Sequence, residues 1–163
     1  METPSSNPHK PDISGLLAAI TRNKDDDTLS QYLEAHRWAI LADYLHSTRI
    51  PHGHVLIAQG GTDRTLYFLE SGSLKVHVGD GVGQVQLAIL GAGSVVGEGC
   101  FFSHKARNAT VQAYNDCKVW SLDPAGFTAL SKQYPTVALA LAMALGAIMA
   151  TRMLDLSRRI AVT

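Results

Sequence analysis

The sequence predicts a mainly β domain with flanking helices: a sandwich or barrel of short strands, closed by a long C-terminal helix. Three observations carry this. Between residues 54 and 122, short apolar runs with a period of two recur, separated by turns rich in Gly, Asp and Ser. Such spacing is the mark of a sandwich or barrel. Residues 28–46 and 135–160 instead carry apolar side chains at helical spacing. At 163 residues, the chain suits one domain able to bury a core.

Taken in order, residues 1–12 read as a flexible tail, because Pro4, Pro8 and Pro11 deny them regular structure. A single domain over 13–163 follows, with N-terminal helices within 13–46, the β region over 50–122 and C-terminal helices over 123–160. Ile13 to Thr21 is short enough for two helical turns. From Thr28 to His46 the residues Leu29, Tyr32, Leu33, Trp38, Leu41 and Leu45 predict a second helix, ended by Pro51 and Gly53. Strands are then expected at 54–58, 66–69, 74–78, 85–89, 94–96, 109–113 and 118–122. Gly79 to Gly83 supplies a hairpin loop. Asp123-Pro124 opens a helix, with Asp as N-cap and Pro in the first position.

Pro135 opens the last helix. Ala138, Ala142, Leu145, Met149, Met153, Leu156 and Ile160 form a seam of near-heptad spacing along it. The first half of this helix is apolar almost all round, which predicts burial on more than one side. A homodimer formed through helix 136–160 is the expected arrangement. Burial within one copy alone is the other reading.

Composition narrows the function. Lys plus Arg and Asp plus Glu each number 14, so no net field steers the chain to nucleic acid or to an anionic membrane. The N-terminus lacks the apolar stretch of a signal peptide, and the longest apolar run, Val137 to Ala150, falls short of the roughly 20 residues of a membrane span. Cys100 and Cys117 form no CxxC pair and read as thiols of a reducing compartment. A cytoplasmic protein without a membrane span is expected.

One segment carries chemistry. Val96 ends a strand, Gly97 and Gly99 flank Glu98, and Arg107 follows nine residues after the acid. Glycines at a strand-to-helix turn let backbone N–H groups approach a ligand anion. Arginine pairs bidentately with phosphate, and a carboxylate accepts from ligand hydroxyls such as those of a ribose. From the spacing alone, a Glu98–Arg107 ion pair inside a Gly-rich bend is the favoured reading.

This segment resembles the phosphate-binding cassette of the cyclic-nucleotide-binding domains, found in bacterial catabolite activator proteins, protein kinase A regulatory subunits and gated ion channels. Gly97, Glu98, Arg107, Ala109, Val111 and Ala113 match its pattern. Upstream, Leu56, Ile57 and Gly60, then Leu66 to Leu69 and Gly72, resemble the first signature of the same family. The helix starts at Asp123-Pro124 and Pro135 also fall where that family has them.

The resemblance implies a β-roll (a double-stranded β-helix, jelly-roll-like) with a long C-terminal helix, covering about residues 28–160. It implies a regulatory module that binds a cyclic nucleotide, cAMP or cGMP, with no cofactor, and that is not an enzyme. Glu98 would accept from the ribose 2′-hydroxyl and Arg107 would pair with the cyclic phosphate. Backbone N–H groups of Gly99 and Cys100 would meet the ribose-phosphate. Asn108 would lie beside the phosphate, Thr110 near the base, and Arg152 where the C-terminal helix covers the base.

The sequence departs from the pattern at Gly61 and Asp63, at Cys100 and Phe101, at Asn108 beside the phosphate arginine, and at Thr151-Arg152-Met153. Bacterial sensors often place a hydroxyl at the last of these, opposite adenine. A second function reading therefore stays open: a roll that binds no nucleotide and serves as a dimerising or adaptor module. Bacterial transcription regulators of this family carry a helix-turn-helix after the long helix, and no such segment is read here, so specific DNA binding is not expected. The downstream protein partner is not legible. His52 and His54 share one strand face, but no acid follows within reach, so a metal-dependent roll enzyme is the weakest reading.

Overall fold

The structure, a computed structural model, describes residues 11–161, with side chains up to Leu156. The N-terminal tail through Lys10 and the side chain of Ile160 in the expected seam lie outside the described residues. Helix α1 spans Ser14–Arg22 and α2 spans Ala35–Leu41, with 3-10 turns at Leu29–Gln31 and Ala42–Tyr44. The strands are β1 (His46–Ile50), β2 (Val55–Ile57), β3 (Leu66–Ser71), β4 (Leu74–Val78), β5 (Val85–Leu90), β6 (Val95–Val96), β7 (Thr110–Ala113) and β8 (Cys117–Leu122). A short helix α3 (Glu98–Ser103) lies between β6 and β7, and α4 (Pro124–Gln133) and α5 (Pro135–Ala161) follow β8.

Among the described residues the strands form two four-stranded antiparallel sheets, in the orders β1-β8-β3-β6 and β2-β7-β4-β5. This is the expected β-roll with flanking helices and a C-terminal helix. Ile50, Leu69, Val96, Cys117 and Val119 of the first sheet meet Ile57, Leu74, Val111 and Ala113 of the second in one apolar cluster. A second cluster joins the other face of the first sheet to the helices. In it Trp38 lies edge-on to Phe68 at a centroid distance of 5.6 Å, and Leu141, Leu145 and Ile148 of α5 are fully buried.

The helix expected over 28–46 is broken. Glu34 has extended backbone, α2 starts only at Ala35, and His46–Ile50 pairs with β8 from His46 opposite Ser121 to Ile50 opposite Cys117. Nothing in His46-Ser-Thr-Arg-Ile50 alternates: four of its five residues are exposed. Its ladder partner, and not its own pattern, makes it a strand. Asp123 caps α4 as expected, its Oδ1 accepting from the N–H of Gly126 at 2.7 Å.

The apolar seam on α5 also turns out differently. Ala138 and Leu145 are buried against their own domain. The stripe left exposed runs one residue off the seam at Leu139, Met143, Gly146 and Ala150 and rejoins it at the exposed Met153, at spacings of 4, 3, 4 and 3. At 3.6 residues per turn, these positions lie opposite Val137, Leu141 and Ile148. By length and apolarity Pro135–Leu156 suffices to cross a membrane, but its opposite face is built into the core.

Candidate functional site

The site forms where β6 leaves the first sheet. Val96 pairs with Tyr67, and the chain then turns sharply at Gly97, which sits at φ 92°. Only glycine takes this left-handed conformation freely. Space enforces the same choice: a Cβ at 97 would lie 2.7 Å from the carbonyl oxygen of Thr65 and 2.8 Å from Nη1 of Arg107. The turn delivers Glu98 as the first residue of α3.

Arg107 is buried, with 6% of its surface exposed. Its Nη1 donates to the carbonyl of Gly97 at 3.0 Å, and its Nη2 to the carbonyl of Thr65 at 2.8 Å and to Asp63 Oδ2 at 3.3 Å. Its Nε is buried and has no partner among the described residues. The backbone at 107 is clamped too: its N–H donates to the carbonyl of Gly61 at 2.7 Å, and its carbonyl accepts from Gly60 at 2.8 Å. The loop of the first signature thus grips the cassette arginine. Asp63, a departure from the family pattern, closes this grip. Its Oδ1 accepts from the N–H and the hydroxyl of Thr65, at 3.2 and 2.8 Å, which leaves Oδ2 for Arg107.

Glu98 does not pair with Arg107, which corrects the ion-pair reading of the spacing. Its partner is Arg152 on α5. Nη1 of Arg152 donates to Glu98 Oε1 at 2.5 Å, Nε to Asp27 Oδ2 at 2.6 Å and Nη2 to the carbonyl of Val95 at 2.9 Å. Burial opposes the charge on this guanidinium, but the attraction of Glu98 together with Asp27 outweighs it and raises Arg152 above its usual pKa.

These residues enclose a cavity of about 470 Å3, within the roughly 300–1,000 Å3 of small-molecule sites. Gly97, Glu98, Gly99, Cys100, Arg107, Asn108 and Arg152 all line it. Thr110 is not among the lining residues, and its hydroxyl accepts instead from the N–H of Gln59 at 3.1 Å. The thiol of Cys100 donates to the carbonyl of Lys105 at 2.9 Å, tying α3 to the loop after it. The rest of the wall is largely apolar: Ile57, Val76, Leu90, Val111 and Met149.

The sequence reading did not assign Asp63, Asp27 or Met149 to the site. Asp63 leaves a local trace, an acid two residues before a threonine. Asp27 is one of three consecutive acids, and its pairing across 125 residues leaves no trace in the sequence. His52 and His54 sit in the turn between β1 and β2, where the N–H of His52 donates to Asp116. Among the described residues no three His, Cys, Asp or Glu side chains converge.

Comparison with known proteins agrees with this geometry. The model of the cyclic nucleotide-binding domain family matches residues 47–134, more than half of the chain. The cAMP-dependent protein kinase regulatory subunit of Blastocladiella emersonii is 29% identical over 111 residues, 68% of this chain and 28% of that protein. That of Drosophila melanogaster (type II) is 34% identical over 73 residues, 45% of this chain and 19% of that protein. The chain therefore spans about a quarter of the length of the curated relatives it matches.

Among solved structures, a cyclic nucleotide-binding domain from Methylobacillus flagellatus superposes with a TM-score of 0.75 at 18% identity, covering 90% of this chain and 81% of that one. The catabolite activator protein of Thermus thermophilus gives 0.67 at 25% identity, covering 82% and 62%. The two ordered signatures, the roll that brings them together and the family match have one conclusion: this chain belongs to the cyclic nucleotide-binding domain family.

Proposed function

We propose that the chain is a sensory module that binds a cyclic nucleotide in the cavity between cassette and roll, and that cAMP is its ligand. The observation that carries this is the buried Arg107, whose Nε lacks a partner while the guanidinium lines a cavity shared with Glu98. A buried polar group without a partner costs free energy that a ligand phosphate would recover. Arg107 pairs with the cyclic phosphate, Glu98 accepts from the ribose 2′-hydroxyl, and the apolar wall holds the base. Support for cAMP over cGMP comes from the names of the relatives, which are cAMP-dependent kinase subunits, and from a solved regulatory domain of Toxoplasma gondii protein kinase A with cAMP. The role is regulatory, not catalytic.

The test is a calorimetric titration of the purified chain with cAMP and then cGMP. Micromolar binding of cAMP supports the reading, and no heat with either ligand overturns it. The exposed stripe of α5 adds a second element, a homodimer of these modules. Its 4-3 spacing suits self-packing, and the open space beside Gly146 lets two helices approach closely. Two free, buried cysteines support a reducing, cytoplasmic setting.

A further inference from the structure

We propose that Arg152 serves the ligand through Glu98 and not through the base: it is the positioning residue that fixes the ribose-recognising carboxylate. This rests on the cyclic-nucleotide reading above. Arg152 stands on the helix that covers the cavity, at the place where a base contact would be expected. Most of its donors, however, are already committed. Of the five N–H groups of a guanidinium, three are bound to Asp27, Glu98 and the carbonyl of Val95. These partners lie on three separate segments: the loop after α1, the start of α3, and β6. Together they fix the plane and the position of the guanidinium.

The other residue that α5 contributes to the cavity wall is Met149, which has no donor to offer a base. The helix therefore presents the base with an apolar surface, and the cation it adds to the cavity wall is directed at the acid. Glu98 needs that cation. Its side chain is only 14% exposed, and a carboxylate so far from water is held in place by a charged partner. A carboxylate accepts about four hydrogen bonds, so Glu98 can hold Arg152 on Oε1 and still accept from a ribose hydroxyl. Asp27 binds the opposite edge of the guanidinium and aims Nη1 at Glu98. Without Arg152, Glu98 and Asp27 are two neighbouring carboxylates with no cation between them, and Glu98 turns away from the ribose.

The experiment compares wild type, Arg152→Lys and Arg152→Gln by calorimetric titration with cAMP, cGMP and 2′-deoxy-cAMP. Charge-assisted hydrogen bonds set the scale, so Arg152→Gln should weaken cAMP and cGMP equally, by about 10-fold or more. It should leave 2′-deoxy-cAMP unaffected and should have no further effect in a Glu98→Gln background. Arg152→Lys keeps the charge without the fork and should fall in between. A merely structural arginine would lower all three affinities together, which overturns the proposal. A change in the cAMP-to-cGMP ratio also overturns it, because Arg152 would then read the base. Wild type that binds neither nucleotide removes the cyclic-nucleotide reading itself, and this inference with it.

Discussion

Nη1 of Arg107 donates to the carbonyl of Gly97 at 3.0 Å, and a side chain at 97 would collide with that same nitrogen. The turn that starts the cassette and the arginine within it are thus one unit. Gly97→Ala must pay for left-handed backbone and push Arg107 aside, with a cost of about 1–3 kcal/mol in stability. Urea denaturation should show this loss, and titration with cAMP should show lost affinity. Unchanged midpoint and affinity would mean that the turn is not needed.

Arg107→Ala removes the cation that faces the phosphate. The expected loss is about 2–5 kcal/mol of binding free energy, because a buried phosphate is left without its partner. A variant that folds as wild type by circular dichroism and still binds cAMP with full affinity refutes the pocket assignment.

Tyr67 sits beside the cassette turn, partly buried in the core of the roll. Burial raises its phenol above the usual 10.0, and the nearby Asp63 adds to this. The sign follows from linkage. The folded state keeps the proton longer than the unfolded one, so the contribution of Tyr67 is present below pH 10. It is lost as pH rises through the folded value. Tyr67→Phe should flatten the fall in stability between about pH 9 and 11. Parallel curves for the two proteins over that range would contradict this.

Met143 stands near the middle of the exposed stripe of α5 and is 68% exposed. Met143→Lys should leave the folded monomer intact, since surface changes usually stay within about ±0.5 kcal/mol. Light scattering should then report a species of 17.5 kDa, against twice that mass for wild type. A wild type that is monomeric at high concentration rules out the dimer.

Leu145 ties α5 to the domain and is completely buried. Leu145→Ala should cost about 2–5 kcal/mol, from lost burial and the cavity it leaves. A much smaller loss in denaturation would show that the helix does not depend on this contact.

The strands from β2 to β8 were legible because residues such as Leu74, Val76 and Val78 alternate with polar neighbours, and glycines mark the turns. The period identified the strands but not the buried face: a register shift between Val76 and His77 leaves His77 buried, and Val85, Leu87 and Ile89 of β5 are exposed. The cassette was legible through the family resemblance, whose motif residues lie close together. Gly97 is required by backbone geometry that no other residue meets easily, and Glu98 and Arg107 are close in sequence.

β1 was not legible. His46 to Ile50 is exposed at four of five positions, so its strand character comes from β8, about 70 residues away. The helical stripe was legible in period but not in phase. Several apolar stripes run along α5, and only its packing against Trp38, Leu41 and their neighbours selects which one is buried.

The sequence alone determined a mainly β domain of short strands and its closing helix, because both follow from local periodicity; the roll and the pair of residues that define the cassette came from its resemblance to a known family. Only the tertiary structure decided who pairs with whom. It gave Arg107 to Asp63, and Arg152 to Glu98 and Asp27. Charge attraction has no sequence period. Which acid meets which arginine depends on where the chain brings them together, and here folding places residues 27, 98 and 152 side by side, with Glu98 and Arg152 on the wall of one cavity.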